Sequence, residues 1–280
     1  MLLRLLGDFR RAMDLSLVLD EEGIPHELRG EGEQRWALLV EEADAARAEA
    51  ALSAFERENP LPAVRERGAP PSLAVPVACG LAFFLSLLAL QIWTGPASAT
   101  SPWFERGSAD AARILAGEWW RTITALTLHA DAGHAVGNAV LGGLLLALLA
   151  RSLGPGLASL LLLLSGVGGT LLAAELVRRD FVSIGASTAV FGALGALAAL
   201  PQLRRRAWIP LGAGLALLAF LGTSKRADLA GHLCGFASGA ILGAAVSLLP
   251  PLRNRAAQLA LALLSTAVPV AAWLAAFCSR

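Results

Sequence analysis

Long apolar stretches separated by short polar segments make up most of the sequence after residue 72. Because a helix needs roughly 20 apolar residues to cross a bilayer, these stretches predict membrane-spanning helices. They run from Leu73 to Trp93, Ala135 to Ala150, Leu157 to Leu176, Ser187 to Leu200, Ala207 to Leu221, Leu229 to Leu249 and Ala256 to Cys278. We therefore predict an all-α polytopic membrane protein with seven spans, of which the fourth is short and rich in glycine.

The first 59 residues instead alternate short apolar runs with helical patterns. Strands predicted at Leu2 to Leu6, His26 to Leu28 and Trp36 to Val40, and helices at Phe9 to Glu22 and Ala43 to Glu58, give the order β-α-β-β-α. This order predicts a small α+β domain over residues 1–59, followed by a Pro-rich linker over residues 60–71. Charged residues interrupt the apolar start of the chain, so no signal peptide is predicted and the domain is expected to be cytoplasmic.

Composition and charge agree with this division. The chain is 56% hydrophobic and only 16% charged, with a mean hydropathy of +0.61, whereas soluble domains are about 25% charged. A purely soluble enzyme is therefore excluded. Residues 1–71 carry a net charge of −6 and the remainder +7, and no basic run is interleaved with aromatic residues, so nucleic-acid binding is not expected.

Loop charges bear on the orientation of the spans. Positive charge favours the cytoplasm for the ends of the second, fourth and sixth stretches, whereas four other basic residues oppose that arrangement. The first set is Arg151, Arg204 to Arg206, Arg253 and Arg255, and the second is Arg178, Arg179, Lys225 and Arg226. With a cytoplasmic N-terminus, seven spans place Arg280 outside.

Polar residues inside predicted spans are expensive, so they indicate function or helix contacts. His129, His134 and Asn138 have the spacing H-x4-H-x3-N, and the last two share one helix face. In a purely structural interpretation, these three residues form hydrogen bonds between helices and have no part in a reaction. The alternative is a cluster of hydrogen-bond donors that serves a reaction.

Two further motifs point to a nucleophile and a base. Ser187 follows Gly185 at the start of the fourth stretch, where a serine is either a helix cap or a nucleophile near free backbone N–H groups. His232 lies in the sixth stretch beside glycines that recur every four residues and form a groove for another small-residue helix. Those glycines are Gly231, Gly235, Gly239 and Gly243. If the fourth span fills that groove, His232 comes within reach of Ser187 and acts as its base.

Taken in order, these motifs resemble those of the rhomboid family of intramembrane serine proteases, and the resemblance spans about Leu73 to Leu249. The matching elements are Trp120-Arg121, the His129, His134 and Asn138 set, Gly185 to Ser187, and His232 with its G-x3-G. The resemblance implies a six-helix core over residues 72–250 plus one additional C-terminal helix over residues 256–278, a 6+1 arrangement. The N-terminal domain resembles that of bacterial rhomboids of the GlpG kind, which implies a bacterial inner membrane location.

The resemblance also implies residue roles. Ser187 would attack the scissile carbonyl, and His232 would accept and return the proton. His134 and Asn138 would donate hydrogen bonds to the oxyanion together with the Ser187 N–H, and Phe191 would stack on the histidine ring. His129 would tie the first loop, the long segment between the first two spans, to the second span, and Trp120 and Arg121 would anchor that loop. Gly185 would allow close approach at the nucleophile, and Gly235 and Gly239 would line the helix groove. The fifth span and the Ser224 to Ala227 loop would form the gate and cap.

Three positions depart from the pattern of the family. Ala150 stands where many bacterial members have an acidic residue that supports the first loop. Thr188 follows the serine where glycine is common, which is expected to affect packing around the oxyanion site. Phe191 replaces a frequent tyrosine and keeps the ring without the hydroxyl.

The function predicted from this resemblance is cleavage of transmembrane segments of membrane proteins near the outer membrane face. Its partners would be transmembrane protein substrates and the lipid bilayer, with no cofactor, metal or nucleic acid. His129 and His134 lack the HExxH spacing of a zinc protease. The alternatives are a catalytically silent relative that binds and escorts transmembrane helices, and a transporter, for which no internal repeat is visible.

Overall fold

The chain divides into two units, Met1–Pro71 and Ser72–Arg280. The computed structural model describes residues 1–31, 35–59, 72–177, 182–201, 212 and 228–279. The predicted linker lies outside the described residues, as do the proposed gate and cap except for Gly212. Arginines 178, 179 and 204–206 are also outside them.

In the N-terminal unit, three antiparallel strands pair in the order β1-β3-β2. The elements are β1 (Leu2–Leu6), α1 (Phe9–Glu21), β2 (His26–Gly30), β3 (Trp36–Val40), a 3-10 turn (Glu42–Asp44) and α2 (Ala45–Glu58). Leu15 and Leu19 of α1 pack with Leu38 of β3 and Leu52 of α2 in a fully buried core, since the helical spacing places them on one face. The predicted order β-α-β-β-α is confirmed.

The second unit is a bundle of long apolar helices. Its long helices are α3 (Ala74–Thr94), α7 (Ala132–Leu153), α8 (Pro155–Val177), α10 (Leu229–Ser247) and α11 (Arg255–Cys278); between them lie α4 (Pro102–Gly107), β4 (Ala109–Asp110), α5 (Ala111–Leu115), α6 (Arg121–Thr124), a 3-10 turn (Ala125–Thr127), β5 (Val182–Ser183) and α9 (Ser187–Ala199). Within the described part of the chain, five helices are long and apolar enough to cross a membrane. The chain is therefore a multi-pass membrane protein.

Helix α9 is the exception in length and environment. Its 13 residues span about 20 Å, less than the roughly 30 Å hydrocarbon core, and 11 of them are buried. Small residues make this possible, because Gly192 and Gly195 let the neighbouring helices α8 and α10 approach the backbone. The helix thus lies inside the bundle, as its glycine content predicted.

The segment between α3 and α7 is folded into short helices rather than an irregular loop. Two-residue strands β4 and β5 pair antiparallel, with Ala109 opposite Ser183, which ties this segment to the residues just before α9. We call residues 102–131 the first loop. Its contacts position the start of α9.

The last helix, α11, is fixed to the turn between α7 and α8. The Gln258 side chain accepts the N–H groups of Gly156 (2.8 Å) and Leu157 (3.0 Å) and donates to the carbonyls of Leu153 (2.7 Å) and Leu252 (3.0 Å). One amide therefore satisfies backbone groups at the end of one helix and the start of the next.

Candidate active site

Ser187 is the first residue of α9, and Ala186 is the N-cap, with no side-chain capping bond. Gly185, two residues earlier, has φ +120°, a conformation that favours glycine because it has no Cβ. The serine hydroxyl is therefore not used as a cap, and it lies at the positive end of the helix dipole. The structural interpretation of Ser187 as a helix cap is thus excluded.

The hydroxyl of Ser187 is hydrogen-bonded to His232 instead. Ser187 Oγ and His232 Nε2 are 2.9 Å apart, and both residues are buried. His232 lies in the first turns of α10, whose N-cap Asp228 accepts the Gly231 N–H at 2.7 Å. An unprotonated Nε2 accepts the serine proton in this geometry, which is the arrangement of a nucleophile with its base.

Backbone contact between α9 and α10 sets that distance. A Cβ at Gly235 would overlap the carbonyl of Thr188, and one at Gly239 would overlap the carbonyl of Gly192. One turn further, a Cβ at Gly243 would lie 2.8 Å from Ala196 Cα. The groove predicted from the glycine spacing is therefore occupied by α9, and it brings Ser187 and His232 together.

Phe191 lies one turn beyond Ser187 and stacks on the His232 ring. The ring centroids are 4.5 Å apart with an interplanar angle of 18°. Aromatic contact on one face restricts rotation of the imidazole and favours a positive charge on it. The ring stacking expected of Phe191 is present.

His134 and Asn138 converge on Gly185. A Cβ built there would lie 2.7 Å from His134 Cε1, 2.9 Å from His134 Nε2 and 3.7 Å from Asn138 Nδ2. His134 Nδ1 accepts the Ala130 N–H at 3.4 Å, so the proton of the neutral ring lies on Nε2, which faces Gly185. Asn138 Nδ2 donates one hydrogen to the His134 carbonyl at 3.0 Å, leaving its second for a ligand. Two donors thus point to the segment before the serine.

His129 holds the residue before the serine. Its Nε2 accepts the Ala186 N–H at 3.2 Å, and the residue is fully buried. Burial lowers the pKa of the His129 imidazole to about 4, and the neighbouring His134 acts in the same direction. The neutral ring is therefore the form that accepts this bond at neutral pH.

Arg121 organises the first loop from inside. It is 1% exposed and donates to the carbonyls of Ser108 (2.8 Å) and Glu105 (2.9 Å) and to the Glu118 carboxylate (2.6 Å). Although partial burial opposes it, hydrogen bonds from Arg121 and Arg113 hold the pKa of Glu118 below its usual value. Glu118 thus supplies a negative charge within the loop itself, whereas Ala150 is apolar and buried.

Trp120 of the first loop and Thr188 of α9 are placed as follows. Trp120 packs edge-on against Trp119 at 6.2 Å, and its indole nitrogen is buried without a hydrogen-bond partner among the described residues. Thr188 points its methyl group toward Gly169 and Gly235, and thus toward α8 and α10. Its methyl group packs into the helix interface rather than toward His134 and Asn138.

Two acidic residues near the site were missed by the sequence reasoning. Asp131 caps α7 by accepting the His134 N–H at 2.8 Å, and Asp228 caps α10. Each fixes the first turn of a helix that carries a site histidine. The available signal was an aspartate directly before an apolar run, a common helix start.

Comparison with known proteins gives a family match within the bundle. Residues 116–249 match the Rhomboid domain family. A curated relative from Bacillus subtilis (strain 168), named "Putative rhomboid protease YdcA", is 33% identical over 111 residues, which are 38% of this chain. The match covers 56% of that relative, so this chain corresponds to little more than half of its length.

Proposed function

Because the chain belongs to the rhomboid family, we propose that it is an intramembrane serine endopeptidase that uses Ser187 and His232 as a catalytic dyad. The observation that carries the proposal is the 2.9 Å hydrogen bond between two buried side chains on different helices. A buried hydroxyl bonded to an imidazole, instead of to the local backbone, is the arrangement that nucleophilic catalysis requires.

In the proposed reaction, Ser187 Oγ attacks the scissile carbonyl carbon while its proton moves to His232 Nε2. The imidazolium then gives that proton to the leaving amine, and the acyl group remains on the serine as an ester. Water, deprotonated by the same nitrogen, hydrolyses the ester and restores the serine. Phe191 supports the imidazolium stage because its ring covers one face of the histidine.

The oxyanion of each tetrahedral intermediate would be stabilised by the Nε2–H of His134, the second Nδ2 hydrogen of Asn138 and the Ser187 backbone N–H. The first two converge on Gly185, and the third belongs to the first turn of α9, whose N–H groups have no acceptor within the helix. Loss of one such donor lowers turnover about a hundredfold. His134→Ala is therefore expected to have this effect.

The substrates would be transmembrane segments of other proteins, cut near the outer membrane face. A substrate helix must unwind to present a peptide bond, so helix-weakening residues near the cut are expected to help. We further propose the 6+1 arrangement, with the N-terminal domain in the cytoplasm of a bacterial cell and the bundle in its inner membrane. The N-terminal domain, residues 1–59, would have a regulatory or binding role.

Fluorophosphonate labelling of the purified protein in detergent tests the dyad without a known substrate. We expect labelling of the wild type and none of Ser187→Ala or His232→Ala. Circular dichroism and thermal melting of each variant would show that it is folded. Labelling that survives in folded Ser187→Ala refutes the nucleophile assignment, and absence of labelling in folded wild type favours a silent helix-binding protein.

A further inference from the structure

The C-terminal part of α11 is attached to the first loop by hydrogen bonds and aromatic contacts. The Trp273 indole N–H donates to Thr127 Oγ1 at 3.1 Å, and Trp103 packs edge-on against the Trp273 ring at 5.1 Å. Arg106 donates to the carbonyls of Ala276 (3.2 Å) and Phe277 (3.4 Å) in the last turn of α11. A cation at the C-terminal end of a helix is favourable. These contacts join the loop to a helix outside the matched residues 116–249.

The residue that Trp273 contacts lies at the centre of the segment that holds the nucleophile. Two residues before Thr127, the carbonyl of Ala125 accepts the Gly185 N–H at 2.8 Å. Two residues after it, His129 Nε2 accepts the Ala186 N–H at 3.2 Å. Gly185 and Ala186 directly precede the serine. Residues 125–129 therefore fix the backbone from which Ser187 extends.

Thr127 has a hydrogen-bonding pattern that makes this contact directional. Its hydroxyl donates to the Thr124 carbonyl at 2.7 Å, which leaves an oxygen lone pair for the Trp273 N–H. Thr127 is only 9% exposed, so loss of the Trp273 N–H removes a hydrogen-bond donor from a largely buried oxygen. A change at Trp273 is therefore passed to the turn that contacts Gly185 and Ala186.

We propose that Trp273 is a positioning residue for the nucleophile, and that α11 acts in catalysis by fixing the 125–129 segment against the start of α9. The inference rests on the proposed function, since it concerns the rate at which Ser187 reacts. It assigns the helix that lies outside the family match a role in holding the reactive serine in register.

The test compares Trp273→Phe, which keeps a ring but removes the N–H, with Trp103→Phe as the matched control in the same aromatic cluster. We expect Trp273→Phe to lower the rate constant of fluorophosphonate inactivation and the kcat for a membrane substrate about fivefold, with KM unchanged, as for one lost hydrogen bond. Trp103→Phe should react like the wild type. Adding Trp273→Phe to Thr127→Val should have no further effect, because the acceptor is already gone.

A second measurement does not depend on activity. Hydrogen exchange of the peptide containing Gly185 and Ala186 should accelerate in Trp273→Phe and not in Trp103→Phe. Unchanged exchange overturns the inference whether or not the protein is a protease. Wild-type labelling with an equal rate in Trp273→Phe also overturns it, whereas loss of labelling in the wild type itself counts against the dyad.

Discussion

Substitution of Gly239 by alanine tests whether backbone contact between α9 and α10 sets the geometry of the dyad. The new Cβ would lie 2.5 Å from the carbonyl carbon of Gly192 and closer still to its oxygen, whereas ordinary contact begins near 3.4 Å. Neither atom is the end of a flexible side chain, so the helices themselves must separate by at least about 1 Å. Gly239 is thus a sensitive position even though it has no reactive group.

The separation of α9 and α10 can be converted into an expected change in the rate of fluorophosphonate labelling. Gly239 is two turns, or about 10 Å, along α10 from His232. A separation of about 1 Å would lengthen the 2.9 Å bond between Ser187 and His232 beyond the hydrogen-bond range. Misplacement by 1 Å can lower a rate about a hundredfold. We therefore expect Gly239→Ala to be labelled by a fluorophosphonate roughly 100 times more slowly than the wild type.

The assay is the rate constant of labelling for a graded set of variants. Gly243→Ala needs a shift of only about 0.6 Å, because its Cβ would lie 2.8 Å from Ala196 Cα, and it should have an intermediate effect. Gly137→Ala, on α7, meets no atom within 4 Å and is the control. Labelling of folded Gly239→Ala at the wild-type rate would refute the reasoning; if that variant does not fold, Gly243→Ala carries the test.

Three other perturbations have defined outcomes. Phe191→Leu removes the ring from His232 and should slow labelling up to about tenfold, whereas Phe191→Tyr should not; equal rates would contradict a role for stacking. Because the folded pKa of His129 is about 4 and the unfolded value near 6.5, the unfolded state takes up the proton first as pH falls, and up to about 3 kcal/mol of stability should be lost between those values. Melting midpoints measured from pH 8 to 5 check this, and His129→Gln should flatten the slope. Gln258→Ala removes the partners of backbone groups at the ends of α7 and α8 and should lower the free energy of unfolding by roughly 2–3 kcal/mol. An unchanged melting midpoint would contradict a stabilising role for these hydrogen bonds.

Much of the fold was predictable because its sequence signal, a run of apolar residues, extends over the whole length of each long helix. Runs of apolar residues near the length of a bilayer predicted α3, α8 and α11 to within a few residues of their observed ends. The short helices of the first loop were not predicted, since α6 has four residues and no usable periodicity. Tertiary contacts of Arg121 hold them in place, and those contacts are not visible in a local pattern.

The candidate site also has contacts that could be predicted from the sequence and contacts that could not. Glycines at a period of four predicted the approach of α10 to α9, because the absence of side chains is a property of the sequence itself. The bond from Trp273 to Thr127 joins residues 146 apart and had no such signal. The role of Glu118 was also unpredictable, since its charge acts on Arg121 only after the loop has folded.

The contact between α9 and α10 also determines how the protein responds when a micelle replaces the bilayer. In lipid, helices gain little from apolar burial against one another, and close packing of their backbones provides the attraction. At Gly235 and Gly239 the two backbones leave no room for even a methyl group, and a detergent tail is no smaller. The surrounding amphiphile therefore does not enter this interface. We therefore expect Ser187 and His232 to keep their 2.9 Å spacing when the protein is solubilised in detergent.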